Sequence, residues 1–216
     1  MLISRRELLK FVSAASAVAA LTPSALAATT GDHYSNRRLG FELTKPPGWH
    51  FLSTVDFYQA ACQQRLRSDV SPEVEALLRS PDSAPFLVVS KYPADSDASS
   101  SAICAYDDAR DESFPPSMVQ CLEEALSGYA RVLSGARTIS DPRAITVPGA
   151  EQAASGIWEF NFELQSGLSS PVKAISLLSL RRGRMHTTHF MAVAATASDD
   201  ERLLLTSLAT VRYRDA

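Results

Sequence analysis

The side chains from which chemistry could be built fall into a few short stretches. Ser170-Pro171-Val172-Lys173 has the S-x-x-K spacing of a serine nucleophile activated by a lysine. That chemistry needs the serine at a helix start, with the amine one turn on and within reach of the hydroxyl. Ala174 to Leu180 read instead as a strand, and no companion motif accompanies the match, so the spacing is a coincidence. His186 and His189 flank two threonines. On a helix they would share a face and could chelate a metal, but on a strand an odd separation sends them to opposite faces. His33 and His50 stand alone, and no HExxH, G-x-S-x-G or glycine-rich phosphate loop occurs. Two acidic stretches, Asp95/Asp97 and Asp107/Asp108/Asp111/Glu112, offer carboxylate oxygens of the kind calcium takes. They lack the glycine and the ligand spacing of a calcium loop and read as solvated loops. Arg181, Arg182 and Arg184 form the densest basic cluster beyond the N-terminal segment, a candidate docking point for an acidic partner. The sequence offers no catalytic constellation, no metal ligand set and no cofactor ligands.

The three cysteines, Cys62, Cys104 and Cys121, form no CxxC and no zinc-type spacing. In an oxidising compartment two could pair. Cys104 with Cys121 would close a short loop, contributing ~3 kcal/mol on the chain-entropy account.

Positioning these residues falls to a mixed set of elements. Leu39, Phe41 and Leu43 alternate as in a half-buried strand, which Lys45-Pro46-Pro47-Gly48 ends. Trp49, expected to be a core anchor, opens a second short strand to Leu52. Ser53 to Asp56 has the shape of a capping box ahead of Tyr58, Cys62 and Leu66 on one helical face, and a short helix is predicted from Ser71 to Leu78. Phe86 to Tyr92 is an apolar strand, with a further strand over Ala102 to Tyr106 and acidic loop from Asp107. Between Pro116 and Leu133 the apolar residues keep a 3-4 spacing, which predicts an amphipathic helix. Trp158, Phe160, Phe162 and Leu164 alternate with polar residues. Val172 to Leu180 and Met185 to Ala195 read as a hairpin turning at Arg181-Arg182-Gly183-Arg184. A last helix around Leu203 to Leu208 and a short strand, Thr210 to Tyr213, close the chain. Residues 28 to 36 read as a polar leader. Hairpins interspersed with helices argue for an α+β fold with an antiparallel sheet flanked by helices.

The N-terminus has its own logic. Ser4-Arg5-Arg6-Glu7-Leu8-Leu9-Lys10 resembles the twin-arginine export consensus, with Leu8 in place of Phe. An alanine-rich apolar run follows, too short for the ~20 residues that span a bilayer. Ala25-Leu26-Ala27 then supplies the small-x-small pattern that a signal peptidase cuts. Residues 1–27 are therefore expected to be a twin-arginine signal peptide, and 28–216 a single domain without a stable membrane anchor. That pathway implies folding before export and a periplasmic, extracytoplasmic or thylakoid-lumenal destination. The whole chain of 216 residues has 21 basic and 24 acidic residues, a net charge of −3. Removing Arg5, Arg6, Lys10 and Glu7 with the signal leaves 18 basic and 23 acidic, or −5. Such a balance gives no general electrostatic attraction to nucleic acid.

The stretch Leu39-Gly40-Phe41-Glu42-Leu43-x-x-Pro46-Pro47-Gly48-Trp49 resembles the opening hairpin of the PsbP/DcrB-like superfamily. The order of later elements is similar as well: a mid-chain helix, Arg143 to Val147, Gly149 to Ala153, three strands, a helix and a final strand. The resemblance covers most of residues 36 to 213. It implies a sheet sandwiched by helices and an exported accessory, assembly or binding protein, with no shared catalytic residues. The expectation is thus a non-enzymatic domain with an envelope protein partner, of unknown oligomeric state. A small-ligand-binding domain and an exported hydrolase are the alternatives.

Overall fold

A computed structural model describes residues 27–55, 57, 66–80, 84–93, 100–109, 117–163, 167, 169–193 and 197–214. Its strands form two antiparallel sheets. The smaller has the order β1 (Ala27–Thr30), β2 (His33–Asn36), β3 (Phe41–Thr44) and β11 (Arg212–Tyr213). The larger runs β4 (His50–Phe51), β5 (Leu87–Ser90), β6 (Ala102–Ala109), β10 (Arg184–Val193), β9 (Ser169–Arg181), β8 (Gln152–Glu163) and β7 (Arg137–Ala144). Three helices are described: α1 (Pro72–Leu78), α2 (Met118–Val132) and α3 (Ala197–Leu208). The fold is α+β with antiparallel sheets and covering helices, as the sequence indicates.

Strand alternation sorts the side chains of the large sheet into two main cores and a smaller cluster of Val88, Ala102 and Cys104. On one face Ile103, Ile175, Leu177, Phe190 and Ala192 pack against Tyr34, Phe41 and Leu43 of the small sheet and Leu204 of α3. On the other, Trp158, Phe160, Val172, Ala174, Leu178, Met185 and Val193 pack against Met118, Cys121, Leu122 and Leu126 of α2. The register keeps each row on its face: His186 sits opposite Asp107 and Ser179, and His189 opposite Cys104 and Ser176. The β9–β10 hairpin closes through Arg182 and Gly183, both with positive φ (49° and 69°), the backbone of a tight two-residue turn that follows the strand twist. Ser117 caps α2 by accepting a hydrogen bond from Gln120 N.

Several expectations are corrected. Residues 28–36 are no leader: they fall in β1 and β2 and the turn between them, with Tyr34 buried in the first core. The acidic run from Asp107 begins inside β6, which extends to Ala109. β7, unannounced by any apolar alternation, is exposed along nearly its whole length and paired to β8 through two register shifts, between Thr138 and Ser140 and between Ser140 and Arg143. The alternation at Trp158 belongs to a strand that already starts at Gln152. Of the helix expected after Ser53, Tyr58 and Cys62 lie outside the described residues, as do Asp95, Asp97, Asp111 and Glu112 and the signal residues Ser4, Arg5, Arg6, Leu8, Leu9, Lys10 and Ala25. Among the described residues no helix is long and apolar enough to cross a membrane.

The first turn of α3 is tied to the sheet by a buried charge. Asp200 accepts from Lys91 Nζ at 2.8 Å and from Ser101 Oγ at 2.7 Å, and Ser101 Oγ in turn accepts from Val193 N at 3.1 Å. A carboxylate this deep is tolerable only with its partners in place. Replacing Asp200 by Ala strands a lysine and a hydroxyl against the core edge and is expected to cost ~3 kcal/mol in urea unfolding; a loss under ~1 kcal/mol would show that the clasp is dispensable.

Candidate functional site

The hairpin turn, the β2–β3 turn and the end of β11 meet at one corner of the molecule. Each brings arginines: Arg181, Arg182 and Arg184 from the hairpin, Arg37 and Arg38 from the β2–β3 turn, Arg212 and Arg214 from β11 and the residue after it. Arg181 makes the join. The residue is 6% exposed, and its guanidinium donates to the carbonyls of Gly40 and Arg214 and lies 5.6 Å from the centre of the Tyr213 ring. Gly40 has φ +65°, and a Cβ there would fall 2.3 Å from the Arg214 carbonyl oxygen and 2.4 Å from Arg181 Nη1. Only glycine lets the turn close over the guanidinium.

Two carboxylates organise the remaining cations. Asp107 receives both nitrogens of the Arg184 fork, at 2.8 and 2.7 Å, with Arg38 Nη2 3.8 Å away. Glu42 accepts from Arg212 Nε at 2.6 Å and has Arg214 Nε at 3.1 Å and His33 Nε2 at 3.9 Å. The backbone N–H of Arg182 donates to Glu151 at 2.6 Å. The hairpin cluster named from the sequence is therefore not one exposed patch. Arg181 is a buried strut and Arg184 is engaged by Asp107, while the exposed charge comes from Arg37, Arg38, Arg182, Arg212 and Arg214.

Beneath this corner His186 is 1% exposed, with its ring 5.1 Å from Tyr213. Its Nδ1 makes no hydrogen bond, lying 3.7 Å from Asp107 Oδ1. Burial lowers its pKa to about 4 from an ordinary 6.5, against the pull of Asp107, so the ring is neutral. His189 points to the α2 side, as the odd spacing requires. Its Nδ1 is 2.8 Å from Ser176 Oγ, which accepts from Trp158 Nε1 at 2.8 Å, and its Nε2 is 3.2 Å from Tyr129 Oη. Burial lowers this pKa to about 4 as well. One nitrogen of the neutral ring donates and the other accepts, so the tautomer sets the directions of the bonds to Ser176 and Tyr129. The serine–histidine contact has the distance of a nucleophile and its base, but Ser176 is 0% exposed and its oxygen is committed to the indole. In this conformation it specifies packing and is closed to a substrate.

Near this network, Tyr106 packs edge-on to His189 at 5.8 Å, and Tyr129 stacks on Trp158 at 5.0 Å. Asp108, on the same face of β6, is partly buried and makes no hydrogen bond or ion pair among the described residues. Burial, aided by Asp107, raises its pKa to about 7 from 3.8, with Arg184 opposing.

The other sequence candidates are dispersed. Cys104 lies on β6 and Cys121 on α2, both buried, in different core clusters and not joined to one another, so the pairing considered from sequence is absent. Burial also drives the Cys104 thiol far above its usual pKa, which makes it a poor nucleophile. Ser170 and Lys173 both sit on β9, where Lys173 Nζ donates to Glu201 at 2.6 Å, a role unrelated to any serine. Trp49 is in the first core, as expected. No group of metal-binding side chains forms among the described residues.

No family model matches the chain, and no curated protein matches its sequence. Among solved structures it is similar to PA94 of Pseudomonas aeruginosa, a protein of unknown function, with TM-score 0.44, 15% identity, and 60% of this chain and 83% of that one covered. It is also similar to the cyanobacterial PsbP of Synechocystis, with TM-score 0.45, 11% identity and 92% and 98% covered. A third is LpqN of Mycobacterium tuberculosis, involved in cell envelope biogenesis, with TM-score 0.43, 15% identity and 78% and 77% covered. Likenesses this distant transfer no residue roles.

Two outcomes follow from the geometry. Gly40→Ala forces an L-residue into the left-handed region and onto Arg181, and is expected to cost at least ~2 kcal/mol in chemical denaturation; a neutral result would show that the turn moves freely. The second concerns pH. A histidine held neutral makes the folded state lose stability as pH falls from its unfolded value, 6.5, to about 4. Asp108 acts oppositely, since its folded pKa is raised: stability falls as pH rises from 3.8 to about 7. Asp108→Asn should therefore raise stability by ~1–2 kcal/mol at about pH 8, change little near pH 4, and leave the acid-side loss steeper. Urea melts across that range check this, and an unchanged profile would return Asp108 to an ordinary carboxylate.

Proposed function

We propose that this chain is an exported accessory domain, related to the PsbP/DcrB-like proteins, that acts in the cell envelope by binding a protein partner. The observation that carries the reading is how the molecule divides its reactive and charged groups. Among the described residues, Ser176, His186, His189 and Cys104, whose hydroxyl, imidazole and thiol groups could start a reaction, are buried. The concentrated charge lies outside, gathered at one corner from three separate segments. A rigid scaffold that keeps its polar chemistry internal and presents a charged face is built for recognition. The twin-arginine-like segment and the small-x-small pattern ending at Ala27 support the extracytoplasmic placement. The opening hairpin supports the relationship: it has β3, then Pro46, Pro47 and Gly48, then a buried Trp49.

A second reading, binding of a small ligand, draws on Asp108. A partly buried carboxyl without a hydrogen-bond partner among the described residues, on the face of β6 that also carries Tyr106, is a place for a donor group to enter. Native mass spectrometry of protein purified from its own host tests it, and a bare protein mass would set it aside.

For the main reading, a photo-crosslinking residue is placed singly at exposed positions on each face of the protein expressed in living cells. Reproducible adducts to one envelope protein are expected from a contiguous subset of positions. Adducts from none of them, with the protein exported and folded, would overturn the reading.

A further inference from the structure

We propose that the corner formed by Arg37, Arg38, Arg182, Arg212 and Arg214 is a docking surface for an acidic, extended segment of a protein partner, recognised through its Asp and Glu carboxylates. The inference rests on the binding reading above and adds where the partner lies and what its chemistry is.

Three observations point there. First, the corner already binds carboxylates in the way proposed, using those of its own chain. Arg184 presents its fork to Asp107, and Arg212 and Arg214 converge on Glu42. Guanidinium groups favour such planar, paired contacts over single point contacts. Among the described residues the carboxylates at the corner are Asp107, Asp108, Glu42 and Glu151, fewer than the seven arginines Arg37, Arg38, Arg181, Arg182, Arg184, Arg212 and Arg214 around them. Arg37, exposed in the β2–β3 turn, makes no ion pair among the described residues. Second, the side chains exposed at the corner are charged. Among the described residues the large apolar side chains that stand in solvent, Val55, Ile139 and Leu205, belong to other elements. A surface without apolar anchors does not suit insertion into a bilayer or a broad apolar interface, and it does suit a hydrophilic, charged strand. Third, the chain as a whole is acidic, at −3, so the charge outside this corner is strongly negative. A wide anionic surface such as a membrane would meet that negative charge as well as the arginines. A short acidic segment reaches the corner alone, since charges more than ~8–10 Å away are screened at physiological salt.

Arg181 takes no direct part. It is a positioning residue, holding the β2–β3 turn to the end of β11 so that the arginines of three segments share one surface.

The experiment uses the purified protein and a fluorescent deca-glutamate peptide followed by anisotropy, with a deca-glutamine peptide, inorganic polyphosphate and phosphatidylglycerol vesicles as parallel probes. Deca-glutamate is expected to bind, deca-glutamine is not, and the affinity should fall at least ~10-fold between about 50 and 300 mM salt. The double substitution Arg37→Glu with Arg182→Glu should weaken binding at least ~10-fold while the thermal midpoint stays put. Arg137→Glu on the distant edge strand β7 should change nothing. No binding of deca-glutamate, equal binding by the double variant, or binding of polyphosphate or vesicles in preference to the peptide would each overturn the proposal. In cells, crosslinks that map to another face and survive the double variant would overturn it too while leaving the binding reading intact; the absence of crosslinks from every face removes the binding reading itself.

Discussion

Everything in this fold follows from a sheet whose central strands have no solvent face. β9 from Ala174 onward and most of β10 are buried, so their odd and even residues each need a cover. One row finds the small sheet and α3, the other finds α2. Parallel sheets usually gain such two-sided cover from crossover helices, whereas an antiparallel sheet commonly leaves one face wet. Here the chain supplies the second cover from its own two ends: β1 to β3 come from the N-terminal side, α3 and β11 from the C-terminal side. The small sheet is completed when β11 reaches β3, at register Arg212 to Glu42. Contacts this distant in sequence make folding slower than for a local topology.

Two-sided burial also governs the polar residues on those strands. Ser176, Ser179, His186, Thr188 and His189 all lie inside, where an unmatched polar atom costs ~1–3 kcal/mol. Most are matched: Ser176 with His189 across the β9–β10 register and with Trp158 of β8, and Ser179 with the Tyr213 hydroxyl of β11 at 2.6 Å. A one-residue slip between β9 and β10 would break the Ser176–His189 pair and reverse the faces. These contacts therefore specify the register more than they add stability. His186 Nδ1 is the exception, an orphan held 3.7 Å from Asp107 by the geometry of its neighbours.

The sequence makes the periodic parts plain and hides the rest, for identifiable reasons. α2 and the β9–β10 hairpin carry their own signals, a 3-4 apolar spacing and two apolar runs across a glycine turn. The opposite placement of His186 and His189 needs nothing beyond the strand assignment. β1 and β2 are silent, because a small edge sheet buries little and Tyr34 is the one large apolar residue within β2. Asp107 and Asp108 look like loop because acidic residues are rare in strands; the first is held in β6 by Arg184, 77 positions away. The corner is harder still. Arg37 and Arg38, Arg181 to Arg184, and Arg212 and Arg214 are unremarkable short runs, and only the topology makes them neighbours. The sequence does single out the hairpin arginines, yet it cannot show that Arg181 turns inward, since that depends on Gly40 and the Arg214 carbonyl arriving beside it.

That inward arginine also bears on the energetics of recognition. Ordering long side chains on binding costs ~0.5–1.5 kcal/mol each, which is why flexible surface cations often bind weakly. At this corner much of that ordering precedes any partner. Arg184 is fixed by a two-point contact, Arg212 and Arg214 share Glu42, and the backbone beneath them is held by Arg181. The carboxylates responsible are themselves nearly buried, Asp107 at 8% and Glu42 at 9% side-chain exposure, so they orient the arginines from below and leave the outer edges of the guanidinium groups toward solvent. Each internal acid reduces the net field that draws a partner from a distance, and each reduces the entropy lost once the partner arrives. Because an acidic chain gains little from long-range attraction in any case, a corner that gives up some steering for order is the arrangement that favours a close, geometrically specific contact.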